Sequence, residues 1–123
     1  MPFDVSQVDT DPVVLALVRA KARIADPESW CINSQARLSS GVGVDADHPD
    51  AVRFCAVGAL GREYNVAGWY VLENPAYKFL NSAARELSDA CPAHLNNTRG
   101  HAFVMAMFDK AIESARALAL QAR

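Results

Sequence analysis

The sequence predicts a mainly α fold: a small single domain of about four helices around a central buried helix, with one short β-hairpin allowed between them. Three observations predict it. Aspartate or asparagine with a nearby proline precedes several apolar stretches, as in Asp11-Pro12, Asp47-His48-Pro49 and Asn74-Pro75. The stretches behind these signals carry apolar residues three and four apart, the spacing of one helix face. The chain has 123 residues and is 51% hydrophobic, enough for one ordinary core.

Residues 1–10 have no period and read as a flexible N-terminal arm, leaving 11–123 as a single helical domain. Asp11 is an N-cap residue, and Pro12 follows at the first helical position, where a missing N–H is harmless. Val13, Leu17, Ala20 and Ile24 then form a stripe, with Arg19 and Arg23 pointing away. Asp26-Pro27 ends this helix, because proline disfavours helix in the residue before it. Pro27 opens a short turn that carries Trp30 and Cys31.

Residues 32–48 are the least regular. Ser39-Ser40-Gly41 is turn chemistry and Val42-Gly43-Val44 alternates, so a hairpin fits here provided that something packs on it. The signals at Asp47, Pro49 and Asp50 predict that the next helix starts there and runs to about Leu60. Its apolar residues lie on both sides, Val52, Cys55, Ala56 and Ala59 against Phe54 and Val57, as expected of a buried spine. Gly58 and Gly61 weaken helix propensity, and the compensating gain is close approach by a neighbour.

Residues 65–72 read as a link with Trp69, Tyr70, Val71 and Leu72 as apolar ballast. Asn74-Pro75 opens the next helix, with Ala76, Phe79, Leu80, Ala83 and Leu87 inward. Residues 88–98 are polar, contain Pro92 and read as a loop. The last helix begins near 98–100 and turns Val104, Phe108, Ala111, Ile112, Ala115 and Leu118 inward.

The formal net charge is -2 and the pI about 5.8, with no basic stripe. Nucleic acid and acidic membranes are therefore not expected partners. No apolar run approaches the roughly 20 residues of a membrane span, and the polar start lacks a secretory pattern. A cytoplasmic location is expected. Three cysteines are an odd number, and free thiols are the default in a reducing compartment.

Cysteine, histidine and asparagine are the residue types of a thiol active site. Cys55 would be a nucleophile only with a lowered pKa and access, and two turns into its helix the dipole has faded. The commoner role of a free cysteine, a small buried hydrophobe, leads for Cys55 and also for Cys31. His101 falls on an inward face at a helix start, where it can act as a base with Asn96 or Asn97 holding its other nitrogen, or simply satisfy a backbone carbonyl. Arg53 reads either as an anchor for an anion, with His101 beside it, or as a packed stem with a solvated head. As a buried charge it would need an acceptor such as Asp109 or Asp45. Zinc would draw on Cys31, Cys55, His101 and the Cys91–His94 pair, but no Cys-x-x-Cys pair exists and Pro92 interrupts the last one. No metal and no cofactor are expected. Phosphate-loop, Gly-x-Ser-x-Gly and His-Glu-x-x-His patterns do not occur.

Trp30-Cys31, then the block from Arg53 through Phe54, Cys55, Ala56, Gly58 and Ala59 to Leu60, then Asn96-Asn97, His101 and Phe108-Asp109-Lys110-Ala111-Ile112 occur here in that order. The arrangement resembles a family of small bacterial and phage proteins classed as domain of unknown function 6197. Asn96-Asn97 stands where that family tends to show Asn-Asp, and Gly100 where its histidine usually follows threonine. The resemblance implies the fold and the residues to watch, and no reaction.

Three functional readings follow, in this order. The first is an interaction or accessory module without catalysis, engaging an unidentified protein partner or a second copy of itself. The second is a thiol enzyme acting on an amide, ester or acyl group, with Cys55 or Cys31 as nucleophile, His101 as base and Asn96 or Asn97 orienting it. The third is a binder of a small anion through Arg53 and His101.

Overall fold

The computed structural model describes residues 10–121. The expected arm therefore lies outside the described residues, apart from Thr10. Five α-helices, two short 3-10 segments and a three-stranded sheet follow one another among the described residues. The chain is mainly α, as its sequence predicts.

Helix α1 spans Pro12–Arg23. The Asp11 carboxylate accepts from the Val13 and Val14 N–H groups, which would otherwise lack partners at the helix start. Its buried line begins at Val14 rather than Val13 and continues through Leu17, Ala20 and Ile24. A 3-10 turn at Pro27–Ser29 follows, capped by Asp26.

The hairpin forms: β1 (Ala36–Arg37) pairs antiparallel with β2 (Gly43–Val44), with Ala36 opposite Val44. Its support is a third strand that the sequence reading had assigned to a helix. β3 (Arg53–Phe54) pairs antiparallel with the other edge of β1, giving the order β2-β1-β3, and Trp30 bridges to Phe54 in parallel. The proline signal at Asp47-His48-Pro49 makes a turn instead of a helix start. Phe54 is buried, and the guanidinium groups of Arg23 and Arg62 lie 5.4 and 5.6 Å from its ring centroid.

Helix α2 therefore starts later than expected, at Ala56–Tyr64, with Cys55 as its N-cap. It is buried from Ala56 to Gly61 and is the expected central helix. Both glycines mark close approaches. A Cβ on Gly58 would lie 1.8 Å from the Gln35 carbonyl oxygen, and one on Gly61 would lie 2.9 Å from the Val66 carbonyl oxygen.

A 3-10 segment, Gly68–Glu73, buries only Val71. Trp69 and Tyr70, expected as ballast, are 83% and 69% exposed. Helix α3 (Pro75–Ser88) is capped by Asn74, whose side chain accepts from the Ala76 N–H. The expected loop at 88–98 is a helix over most of its length: α4 spans Pro92–Thr98, with Cys91 at its N-cap. Pro92, read as a helix breaker, occupies the first helical position where proline is tolerated. Helix α5 (His101–Gln121) packs along α3 and α1, while α1 also packs on α2. Leu118, expected inward, is exposed. No described helix is long and apolar enough to cross a membrane.

Candidate functional site

Asn96 is wholly buried, and it is the only polar side chain that is so among the described residues. Its Oδ1 accepts from the Trp30 indole N–H (2.7 Å) and from the Ala56 backbone N–H (3.0 Å). Its Nδ2 donates to the Cys31 carbonyl (3.0 Å) and to Asn97 Oδ1 (3.2 Å). Two donors on one side and two acceptors on the other fix the orientation of the amide and fill its hydrogen-bonding capacity. The pin ties α4 to the Trp30 segment and to the first residue of α2. Asn97 extends it, accepting from the Asn33 N–H at 2.8 Å.

A cleft of about 650 Å³ opens beside this pin. Asn33, Ser34 and Gln35 form one wall, Gly68, Trp69 and Leu72 another, and Cys55, Val57, Tyr77, Cys91, Ala93 and Asn97 complete it. The Gln35 side chain clasps the backbone of Gly68 from both ends, Nε2 donating to its carbonyl and Oε1 accepting from its N–H. That clasp fixes the 3-10 segment to the sheet end. No charged side chain and no histidine lines the cleft.

Cys55 sits at the N-terminus of α2, not two turns inside a helix. The Gly58 N–H donates to its Sγ at 3.2 Å, an interaction that favours thiolate. Burial outweighs this and pushes the Cys55 thiol up to about 11. Only ~1 thiol in 10⁴ is then ionised at pH 7. Cys31 is buried too, and burial likewise raises its pKa against the opposing charge of Arg37. Its Sγ contacts the Ser34 carbonyl at 3.6 Å.

His101 Nε2 lies 2.7 Å from the Ile24 carbonyl oxygen, and its ring meets Trp30 edge-on at 5.4 Å between centroids. Neither Asn96 nor Asn97 orients it, because Asn96 is saturated elsewhere and Asn97 Oδ1 faces Asn33 and Asn96. Arg53 Nε donates to the Glu28 carbonyl at 3.2 Å. Its recess also contains Asp26 and Glu28, which disfavour an anion there, while Asp109 is paired with Lys21. Of the candidate residues, the structure brings Cys55 and Asn97 to one cleft and Cys31 and Asn96 to the wall behind it. His101 and Arg53 stand apart. Among the described residues no three His, Cys, Asp or Glu side chains gather in a metal-binding group.

A family model described as a family of unknown function, DUF6197, matches residues 9–114. The chain belongs to this family. No curated protein and no solved structure matches it. The block from Arg53 to Leu60, which lies within the matched range, has a structural reading at nearly every position. Phe54 fills the strand, Cys55 caps, Ala56 meets the Asn96 pin and Gly58 admits Gln35. The cleft residues Gln35 and Tyr77 escaped the sequence reading, and Cys91 was weighed there only as a metal ligand with His94. Cys91-Pro92 was the available signal, being a helix-start pair like Asn74-Pro75.

Proposed function

We propose that this DUF6197 domain is a binding module without chemistry of its own, and that the cleft beside Trp69 is its binding face. The observation that carries the reading is the 3-10 segment, which holds Trp69 and Leu72 exposed at an uncharged cleft that Tyr77 also lines. Tryptophan and tyrosine combine large apolar area with a polar tip, and both are enriched where interfaces concentrate their binding energy. The Gln35–Gly68 clasp holds the segment in place before anything binds, which reduces the ordering entropy of association. The thiol-enzyme reading draws support from Cys55 at a helix start in the same cleft. Its thiol stays protonated near neutral pH, and no base lines the cleft to take the proton.

Phenol, a small uncharged aromatic, tests the reading by amide chemical shifts in uniformly labelled protein. Shifts centred on Val57, Trp69, Tyr77 and Ala93, abolished by the cleft-filling Ala93→Phe, are expected. Shifts scattered over α1 and α5 with none at the cleft would overturn the assignment. Iodoacetamide near pH 7 separates the enzyme reading, since rapid alkylation of Cys55 that depends on His101 belongs to a catalyst and not to this module.

A further inference from the structure

We propose that the occupant of the cleft is an uncharged stretch of polypeptide, which inserts one aromatic or large aliphatic side chain and presents a backbone carbonyl to Asn97 Nδ2. The inference rests on the binding-module reading above and names its partner.

Charge complementarity comes first. A fifth of the chain is charged (21%), yet no charged side chain lines the cleft. A carboxylate or ammonium entering it would lose hydration and meet no counter-charge, a penalty large enough to exclude such groups from the anchor position. Size comes second. About 650 Å³ lies in the middle of the range of ligand cavities and exceeds one aromatic side chain, leaving room for flanking main chain.

The polar group at the rim narrows the chemistry further. Both hydrogen bonds of the Asn97 side chain use its Oδ1, from the Asn33 N–H and from Asn96 Nδ2. What Asn97 offers an occupant is therefore a donor, Nδ2–H, fixed in position by the two bonds on the other atom. A neutral carbonyl is its match, and a polypeptide supplies one at every residue. Trp69 and Tyr77 provide ring surfaces for edge or offset contacts with an inserted aromatic, and the Cys55 and Cys91 sulfurs are polarisable surfaces against the same ring.

N-acetyl-phenylalaninamide reproduces this pattern in one molecule: an apolar side chain between two amides. Titrated into labelled protein, it is expected to bind at the cleft with a dissociation constant on the order of 1 mM, as suits a ligand of its size. N-acetyl-lysinamide and the α-amide of N-acetyl-aspartic acid are expected to bind at least about tenfold more weakly, because their charges stay unpaired. Asn97→Asp keeps the oxygen that accepts from Asn33 and Asn96 and deletes the donor. It is expected to weaken the capped phenylalanine about fivefold to tenfold, with the fold unchanged. Equal binding of the charged compounds would overturn the proposal. So would phenol binding without capped phenylalanine, which assigns the cleft to a small molecule and leaves the module reading standing. Concentration-dependent broadening of the cleft amides in protein alone would assign the face to a second copy of the chain and also refute it. Failure of phenol itself counts against the module reading instead.

Discussion

Replacing Asn96 by alanine removes four hydrogen bonds at once and tests whether this amide holds the domain together. The Trp30 indole N–H, the Ala56 N–H and the Cys31 carbonyl each lose a partner, and Asn97 loses one of two donors to its oxygen. Ala56 is wholly buried and Cys31 nearly so, so water has little access to these two backbone groups. An unsatisfied buried group costs about 1–3 kcal/mol. Three of them, partly relieved by local relaxation, predict a loss of about 3–6 kcal/mol, against a total stability of roughly 5–15 kcal/mol for a domain. Urea unfolding followed by tryptophan fluorescence measures it, in a Trp69→Phe background so that Trp30 is the sole reporter. With a slope of about 1.5 kcal/mol/M, the midpoint should fall by about 2–4 M. A cycle with Trp30→Phe, followed by far-ultraviolet circular dichroism because that variant keeps no tryptophan in this background, isolates one bond and should return a coupling of about 1 kcal/mol or more. A loss below about 1 kcal/mol for Asn96→Ala, or a coupling near zero, would show that the pin is dispensable and refute the reasoning.

Gly58→Ala should destabilise by about 3 kcal/mol or more, since its Cβ would meet the Gln35 carbonyl at 1.8 Å and the strand must move; a thermal melt with little change would contradict that contact. Stability should fall as pH rises from about 9 to about 11. The folded Cys55 pKa lies above its unfolded value of 9.0, so its contribution is intact below pH 9 and lost as pH passes about 11. The difference is ~3 kcal/mol, and denaturation of Cys55→Ala beside the parent across that window should show the parent losing more. Trp69→Ala should leave stability within about 0.5 kcal/mol, because the side chain is mostly exposed, while phenol binding at the cleft weakens severalfold; unchanged binding would remove Trp69 from the face. His101→Ala should leave cleft binding unaltered, since the ring points at Ile24 and Trp30, and a large loss of phenol affinity would show that His101 belongs to the site.

Much of the helical frame was legible because its signals are local. Asp11 and Asn74 cap the helices they appear to cap, and the 3–4 spacing of Val104, Phe108, Ala111, Ile112 and Ala115 marks the buried face of α5. Gly58 and Gly61 were readable as close-approach positions for the same reason, though nothing nearby names the approaching atoms. Where two local readings competed, the structure resolved them. Arg53-Phe54 sits behind a convincing helix-start signal, yet the pair forms the second edge partner of strand β1, and the Phe54 ring packs beneath the guanidinium groups of Arg23 and Arg62. Pro92 looked like a break and proved to be a beginning.

The candidate site was legible in its residue types and not in its arrangement. Cys31, Cys55, Asn96 and Asn97 could be picked out in the chain, and they do gather in space. Their pairing was invisible because Asn96 reaches Trp30 across 66 residues and Ala56 across 40. A hydrogen bond of that span leaves no periodic trace.

Composition, spacing and caps settle the class of fold and the order of most helices, since each depends on interactions within one or two turns. Which end of a helix Cys55 occupies, whether its thiol is ionised and which way His101 points depend on burial and on partners far along the chain. Trp69 shows the division clearly. Its type announces apolar surface, but only packing of the 3-10 segment against Gln35 and Val71's burial beneath it leave the indole outside, at the mouth of a cleft. Local chemistry is written residue by residue, while exposure belongs to the assembled molecule.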